Sequence, residues 1–428
     1  MSTAVMDSPS ISKGSWADWL RELGFLSRDK TVLAAIGLLF LLSAVSVVVG
    51  VLRVDAQTQD IAAMISADAA DRAAAQAPIT DYGDAGYYSF YVTYDAPKPL
   101  AFSAMGQRDT APYLKRIRLL ALEGQIYHGE SPNPLLAQIG SLDISFIAAY
   151  LLPLILIVLL YDLKASENTA GRLVFLQSMP NVWSKLWAPR IVWRGALVFM
   201  TIGIPFSVGA FISGASIGEV LSGLAGLLLT TVFWTALVSL IAMRAWSAAS
   251  IAAALIGIWL TLNVLLPALV QNLVIPTIEG PAGADISLVQ REAVNDAWDL
   301  PKSATLDPFT ALFPEYAIEE KLKPFDWRWY FAFQHMGDVA ASDLSSAYLE
   351  SIRERDRIAG LTAVLSPALA IQRYLQRLAH TDVTAQLDYD NAIRNYHAQL
   401  QRFFLPLIFG DADYDAEVIK GAPAFNGD

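Results

Sequence analysis

The 428-residue sequence has no cysteine, which excludes disulfides, thiolate zinc sites and a cysteine nucleophile. Charge is scarce: 17% of residues are Asp, Glu, Lys or Arg, where an ordinary soluble domain carries about 25%. The four histidines, His128, His335, His380 and His397, are scattered and suggest no metal cluster. A formal charge of −11 argues against a nucleic-acid partner, which would favour a basic patch. The chain lacks G-x-x-x-x-G-K-[ST], so it cradles no nucleotide phosphates itself, and it lacks the H-E-x-x-H of zinc proteases. Apolar residues fill the space instead, 54% of the chain, gathered in long blocks.

A membrane span needs about 20 apolar residues in a helix. Uncharged runs extend over Thr31–Leu52, Ile144–Tyr161, Gly195–Gly218, Val220–Met243 and Ala245–Ile278. They predict spans at 31–52, 141–161, 195–218, 220–243 and 251–274. Pro153, Pro205 and Pro267 lie inside them, where neighbouring helices satisfy the freed carbonyls. The first apolar run exceeds a signal-peptide core and follows 30 residues, so it reads as a permanent signal anchor.

Charge sets the expected orientation. Segments 1–30, 162–194 and 241–250 are together +4, whereas the remainder is −15. Arg21, Arg28 and Lys30 precede the first span, and Lys164, Arg172, Lys185, Arg190 and Arg194 follow the second. The positive-inside rule then predicts a cytoplasmic N-terminus and, after five spans, an extracytoplasmic C-terminus. Segments 53–140 and 276–428 fall outside. The first predicts an alanine-rich helix, Gln57–Ala77, and a short strand at Tyr88–Tyr94. The second predicts helices at Ser342–Gly360 and Thr384–Phe404. Its aromatic run Phe325–Phe333 is either a core cluster or an interfacial platform. The expected fold is therefore mainly α. It is a polytopic helical membrane protein of about five transmembrane helices plus two extracytoplasmic segments, the first mixed α/β and the second mostly helical.

Candidate chemistry is sparse. Gly214-Ala215-Ser216-Ile217-Gly218 matches the nucleophile-elbow pattern, but it joins two spans instead of a strand and a helix, so a tight inter-helix turn is expected. Asp411, Asp413, Asp415 and Glu417 lack the Gly and Glu that complete a calcium loop. No charged residue occupies a span interior, which argues against an ion-coupled carrier. Two features on the cytoplasmic side remain. Trp16, Trp19, Leu20 and Leu23 recur at helical spacing and predict an amphipathic interfacial helix in residues 1–30. In segment 162–194, Glu167 is expected to begin a short helix and Pro180 to end it. That helix needs a partner to cover Leu173, Val174, Phe175 and Leu176.

That second segment resembles the loop after the second span of ABC-2-type permeases, the membrane subunits of one class of ABC transporter. The matching residues are Glu167, Gly171, Leu173, Leu176, Pro180 and Arg190. Arg172 stands where the family often has Thr, and Pro189-Arg190 where Gly-Lys is usual. The Trp-rich N-terminal helix is similar to the family's interfacial elbow. The stretch LSPALAIQRYLQRLAHTD and the later Phe403–Pro406 resemble a branch with large extracytoplasmic segments. The resemblance implies a permease that forms the membrane pathway with a second permease copy or relative. It also implies docking of separate ATPase subunits through the loop; ATP and Mg would be held by those partners and no cofactor by this chain. Export of a peptide, lipid-like or other amphipathic compound across the inner membrane follows from the same resemblance. Family members typically have six spans, and segment 276–428 offers no run for a sixth. A different class, a membrane-anchored sensor or assembly scaffold, would also use the large outer mass.

Overall fold

The structure, a computed structural model, describes residues 16–127, 142–318, 322–410 and 413–427. His128 and Asp411 lie outside the described residues. The chain begins with α1 (Trp16–Leu26) and α2 (Lys30–Gln76). Next come α3 (Tyr82–Tyr88), strands β1 (Tyr91–Tyr94) and β2 (Leu114–Ile117), and α4 (Glu123–Tyr127). Helix α5 (Ile144–Thr169), the short α6 (Leu173–Ser178), α7 (Trp183–Ile212), α8 (Ile217–Ala242) and α9 (Ala248–Thr277) follow. The remainder is α10 (Gly283–Asp299), α11 (Ser303–Leu312), α12 (Trp327–Ala363), α13 (Pro367–Leu378), α14 (Val383–Phe409) and α15 (Ala416–Ile419).

Five helices, α2, α5, α7, α8 and α9, are long and apolar enough to cross a membrane. Their shared core includes Leu39, Val47, Leu156, Phe206, Leu227 and Trp234. Helices α1 and α6 lie at one end of this bundle, the base. The segments on either side of the five spans' other end build a head.

Two boundaries differ most from those expected. The span at 31–52 and the helix at Gln57–Ala77 are one 47-residue helix, about 70 Å long at 1.5 Å per residue. Asp29 caps its start by accepting from the N–H groups of Thr31 and Val32 at 2.9 and 3.3 Å. No Gly or Pro interrupts it after Gly50, so nothing stops the helix where it leaves the bundle. The span expected at 195–218 starts at Trp183 instead, which puts Lys185, Arg190 and Arg194 on the helix. Charge alone does not end a helix, and here Arg190 and Arg194 have carboxylate partners.

The head is one body, although its two sequence segments read as separate. Strand β1 pairs antiparallel with β2, Tyr91 opposite Ile117; Tyr88, expected in the strand, instead closes α3. Tyr91 and Ile117 share a core with Ile393, Leu400 and Phe404 of α14. Arg394 grips Glu123 with two hydrogen bonds of 2.7 and 2.9 Å. Asp338 accepts from the N–H groups of Leu122 and Glu123 at 2.7 and 2.9 Å. The expected helices Ser342–Gly360 and Thr384–Phe404 lie within α12 and α14. Trp329, Phe331 and Phe333 from the aromatic run are buried and Phe325 is exposed, so most of that run is core.

The C-terminal segment holds an element that hydropathy missed. Helices α12 and α13 form a hairpin whose uncharged turn, residues 358–372, lies between Arg357 and Arg373. Ala368, Ile371 and Leu375 of α13 belong to the bundle core. The Ala368 N–H donates to Asn263 Oδ1 at 3.3 Å, and the Tyr374 hydroxyl donates to the Ser222 carbonyl at 2.9 Å. Asn263 lies fourteen residues before the end of α9 at Thr277, roughly 20 Å into the bundle. A Cβ at Gly226 would sit 2.5 Å from the Tyr374 ring, so α13 approaches α8 where a hydrogen replaces a side chain. Arg373 ties α13 back to α12 through Asp356 at 2.6 and 2.9 Å. At the tip Val364 is 82% exposed and apolar. The hairpin therefore enters the bundle from the head without crossing it, and fifteen uncharged residues suffice because each arm needs only half of them.

Burial in the head predicts opposing pH responses. It pushes the Asp338 carboxyl up to about 7 despite the two N–H donors. It also pushes His397 down to about 4 despite the contact with the Leu120 carbonyl. Raised above its unfolded value, Asp338 stabilises fully below pH 3.8 and loses that contribution as pH rises through 7. Depressed below its own, His397 stabilises above pH 6.5 and loses that contribution as pH falls through 4. Between pH 7 and 5 the two nearly cancel, at about 2 kcal/mol each. Thermal scans of the full chain should separate them. Asp338→Asn should lower the melting temperature on acidification and His397→Gln should raise it. Parallel slopes in the two variants would show that these groups do not set the balance.

Candidate functional site

The base is built around α6. Helix α5 ends at Thr169, and the chain turns through Gly171 at φ +69°, a left-handed conformation that costs glycine little. After α6 the chain turns again at Asn181, φ +58°, a residue type that tolerates this region. Pro180 stands between, so the helix cannot continue past Ser178. The result is a six-residue helix fixed at both ends.

None of its residues is buried. Leu173 and Leu176 are half-buried, and Leu173 packs toward the bundle core. The side chains offered to the surroundings are Val174 and Phe175, 79% and 70% exposed, flanked by exposed Met179 and Trp183. The apolar face is thus Val174–Phe175, two of the four residues expected to need cover, while Leu173 and Leu176 are already half-buried. The reason is that Leu173 is drawn against the bundle core, which leaves Val174 and Phe175 facing away from it.

Glu167 does not begin α6. It lies in the last turn of α5, buried, where it accepts from Arg172 Nε at 2.7 Å and from Arg190 Nη1 at 2.9 Å. Arg190 also reaches Glu22 of α1 at 3.4 Å, and Arg194 reaches the same carboxylate at 3.3 Å. Arg190 thereby links three elements: α1, the end of α5 and the start of α7. Trp193 Nε1–H donates to the Trp19 carbonyl at 3.1 Å, and Arg21 donates to the Lys185 carbonyl at 3.2 Å. Both contacts seat α1 on α7.

Helix α1 carries Glu22 and Leu26 inward, while Trp16 and Leu20 are exposed and Trp19 and Leu23 are half-buried. Spacing identified the apolar stripe but missed Glu22, the buried anion beside it. Its signal was present: Glu22 lies four residues before Leu26, and Arg190 and Arg194 are themselves four apart, so each pair shares a helix face. Arg172, which departs from the resembled loop, is a partner of Glu167. The Gly214–Gly218 pattern is the tight turn expected. Ser216 caps α8, accepting from the Glu219 N–H at 3.3 Å while the Glu219 carboxylate accepts from the Ser216 N–H at 2.7 Å. Among the described residues no group of histidine and carboxylate side chains could hold a metal ion.

A family model described as "Domain of unknown function (DUF3526)" matches residues 286–427. This region runs from α10 through α15 and includes the hairpin. No curated protein and no solved structure matches the chain.

Proposed function

We propose that this chain is the permease subunit of an ABC-2-type transporter, and that α6 is the element on which a separate ATPase subunit docks. The observation that carries the reading is a short helix, fixed at both ends, that holds Val174 and Phe175 away from the bundle. An exposed apolar side chain gains about 1.5–3 kcal/mol on burial, so a pair of them supports an interface. The base is cytoplasmic in this reading, consistent with its basic residues, and the head is extracytoplasmic. ATP and Mg belong to the partner. A second copy of the chain or a related permease completes the pathway, and the cargo is exported across the inner membrane. Uncharged span interiors support drive by ATP and not by an ion gradient.

The defining experiment is co-purification of a separate ATPase subunit with this chain, followed by ATP turnover and transport in liposomes. Transport should persist when ion gradients are collapsed and stop without ATP. Transport driven by a proton gradient in the absence of nucleotide would refute the reading. Orientation is checked on the cysteine-free background with Asn181→Cys and Glu350→Cys, both at exposed positions. A membrane-impermeant maleimide added to intact cells should label Glu350→Cys only. Labelling of both from one side would overturn the topology.

A further inference from the structure

A cavity of about 760 Å³ lies where the head meets the bundle, within the size range of small-molecule sites. Gln271 and Ile275 at the head end of α9 form its membrane-side edge, and Leu369 and Arg373 of the hairpin form a wall. Its lining is sharply divided in chemistry. Ile275, Ile352, Leu369 and Leu387 supply apolar surface, and three cations and two carboxylates supply charge. Two of the cations are already paired, Lys115 with Asp390 at 2.8 Å and Arg373 with Asp356 at 2.6 Å.

Arg355 is the third. Among the described residues it has no carboxylate within ion-pair distance. Its one hydrogen bond is a long one, 3.4 Å to the Ile278 carbonyl, and its Nε is buried without a partner. A buried guanidinium nitrogen without an acceptor is costly, and a planar guanidinium suits a carboxylate or phosphate.

We infer that this cavity binds an anionic amphipath: one phosphate or carboxylate group on Arg355, and an alkyl chain along Ile275, Ile352, Leu369 and Leu387. The location favours such a ligand over a free anion, because the apolar wall is continuous with the hairpin and the end of α9. The exposed Leu361, Val364 and Leu365 extend that apolar surface to the hairpin tip. The binding stands on the cavity alone; that its occupant is cargo rests on the permease reading.

The test uses the full chain in phosphatidylcholine liposomes. Gln386→Cys places a thiol in the cavity lining of a cysteine-free protein. The probe is dodecyl phosphate below its micellar concentration. It should slow maleimide labelling of this cysteine at least tenfold. Inorganic phosphate, the head alone, and dodecyl maltoside, the chain with a neutral head, should each slow it less than twofold. Adding Arg355→Gln should abolish the protection, and Arg355→Lys should keep most of it. Equal unliganded labelling rates in the parent and Arg355→Gln chains show that the fold is intact. If the rates differ, Leu369→Asp supplies the second variant, and it too should remove protection. Absence of protection by dodecyl phosphate overturns the proposal. So does equal protection by inorganic phosphate or by dodecyl maltoside, or protection that survives Arg355→Gln. No ATPase takes part, so failure here leaves the docking reading standing, and failure of docking leaves this site standing.

Discussion

Phe175→Asp should weaken binding of the ATPase at least 100-fold while leaving insertion and folding of the permease unchanged. The side chain is 70% exposed and contributes to no core cluster, so its loss costs the isolated chain little. At an interface the same substitution removes about 1.5–3 kcal/mol of burial and adds the desolvation of a carboxylate, several kcal/mol if unpaired. Each 1.4 kcal/mol is tenfold in affinity. Gln177→Asp, on the same helix but outside the Val174–Phe175 patch, is the control for charge alone and should stay within about threefold of the parent. Leu176→Asp should also impair docking, but it should lower thermal stability as well, since Leu176 is half-buried. The measurement is ATPase retained on the purified permease, with ATP turnover and transport in liposomes. If the Phe175→Asp chain retains its ATPase and transports like the parent, α6 is not the docking element.

How much of this was legible in the sequence depends on the physical signal each element leaves. The five long helices were legible because each must present about 20 apolar residues to lipid. The hairpin was not, since a helix that enters halfway needs only half that run. The continuous rod of α2 was hidden for another reason: its hydropathy changes at Arg53 although its backbone does not. At the base, Pro180 marked the end of α6 correctly, but its start was expected at Glu167, which instead lies in the last turn of α5, before the turn at Gly171. The face that α6 exposes depends on how α6 lies across the spans, and no periodicity within six residues can fix that. Glu22 lies off the apolar stripe of α1, and nothing local marks it as buried. Only its proximity to Arg190 and Arg194, more than 160 residues away in the chain, makes it interior. Arg355, the cavity cation without a carboxylate within ion-pair distance, lies in the charged run Arg353–Arg357, where nothing in the sequence distinguishes it from its neighbours.

Arg190→Met should produce the second large effect, and its rescue separates stability from coupling. Arg190 neutralises parts of two buried carboxylates at once, Glu22 and Glu167. Removing one partner from a buried pair costs about 3–5 kcal/mol, because the remaining charge stays buried. Glu22 and Glu167 keep Arg194 and Arg172, which places the expected loss at the lower end, about 3 kcal/mol. It should appear as a lower melting temperature and as faster maleimide labelling of a cysteine at the buried Leu26 position. Adding Glu167→Gln removes one of the charges that Arg190 neutralised, while Glu22 keeps Arg194 and the freed Arg172 is exposed, so the double variant should recover most of that stability. If Arg190 also transmits motion from α6 to α1 and the spans, the double variant should bind the ATPase normally yet transport at least tenfold more slowly per ATP hydrolysed. Full recovery of both stability and transport would reduce the network to a structural clamp, while the docking role of α6 would stand.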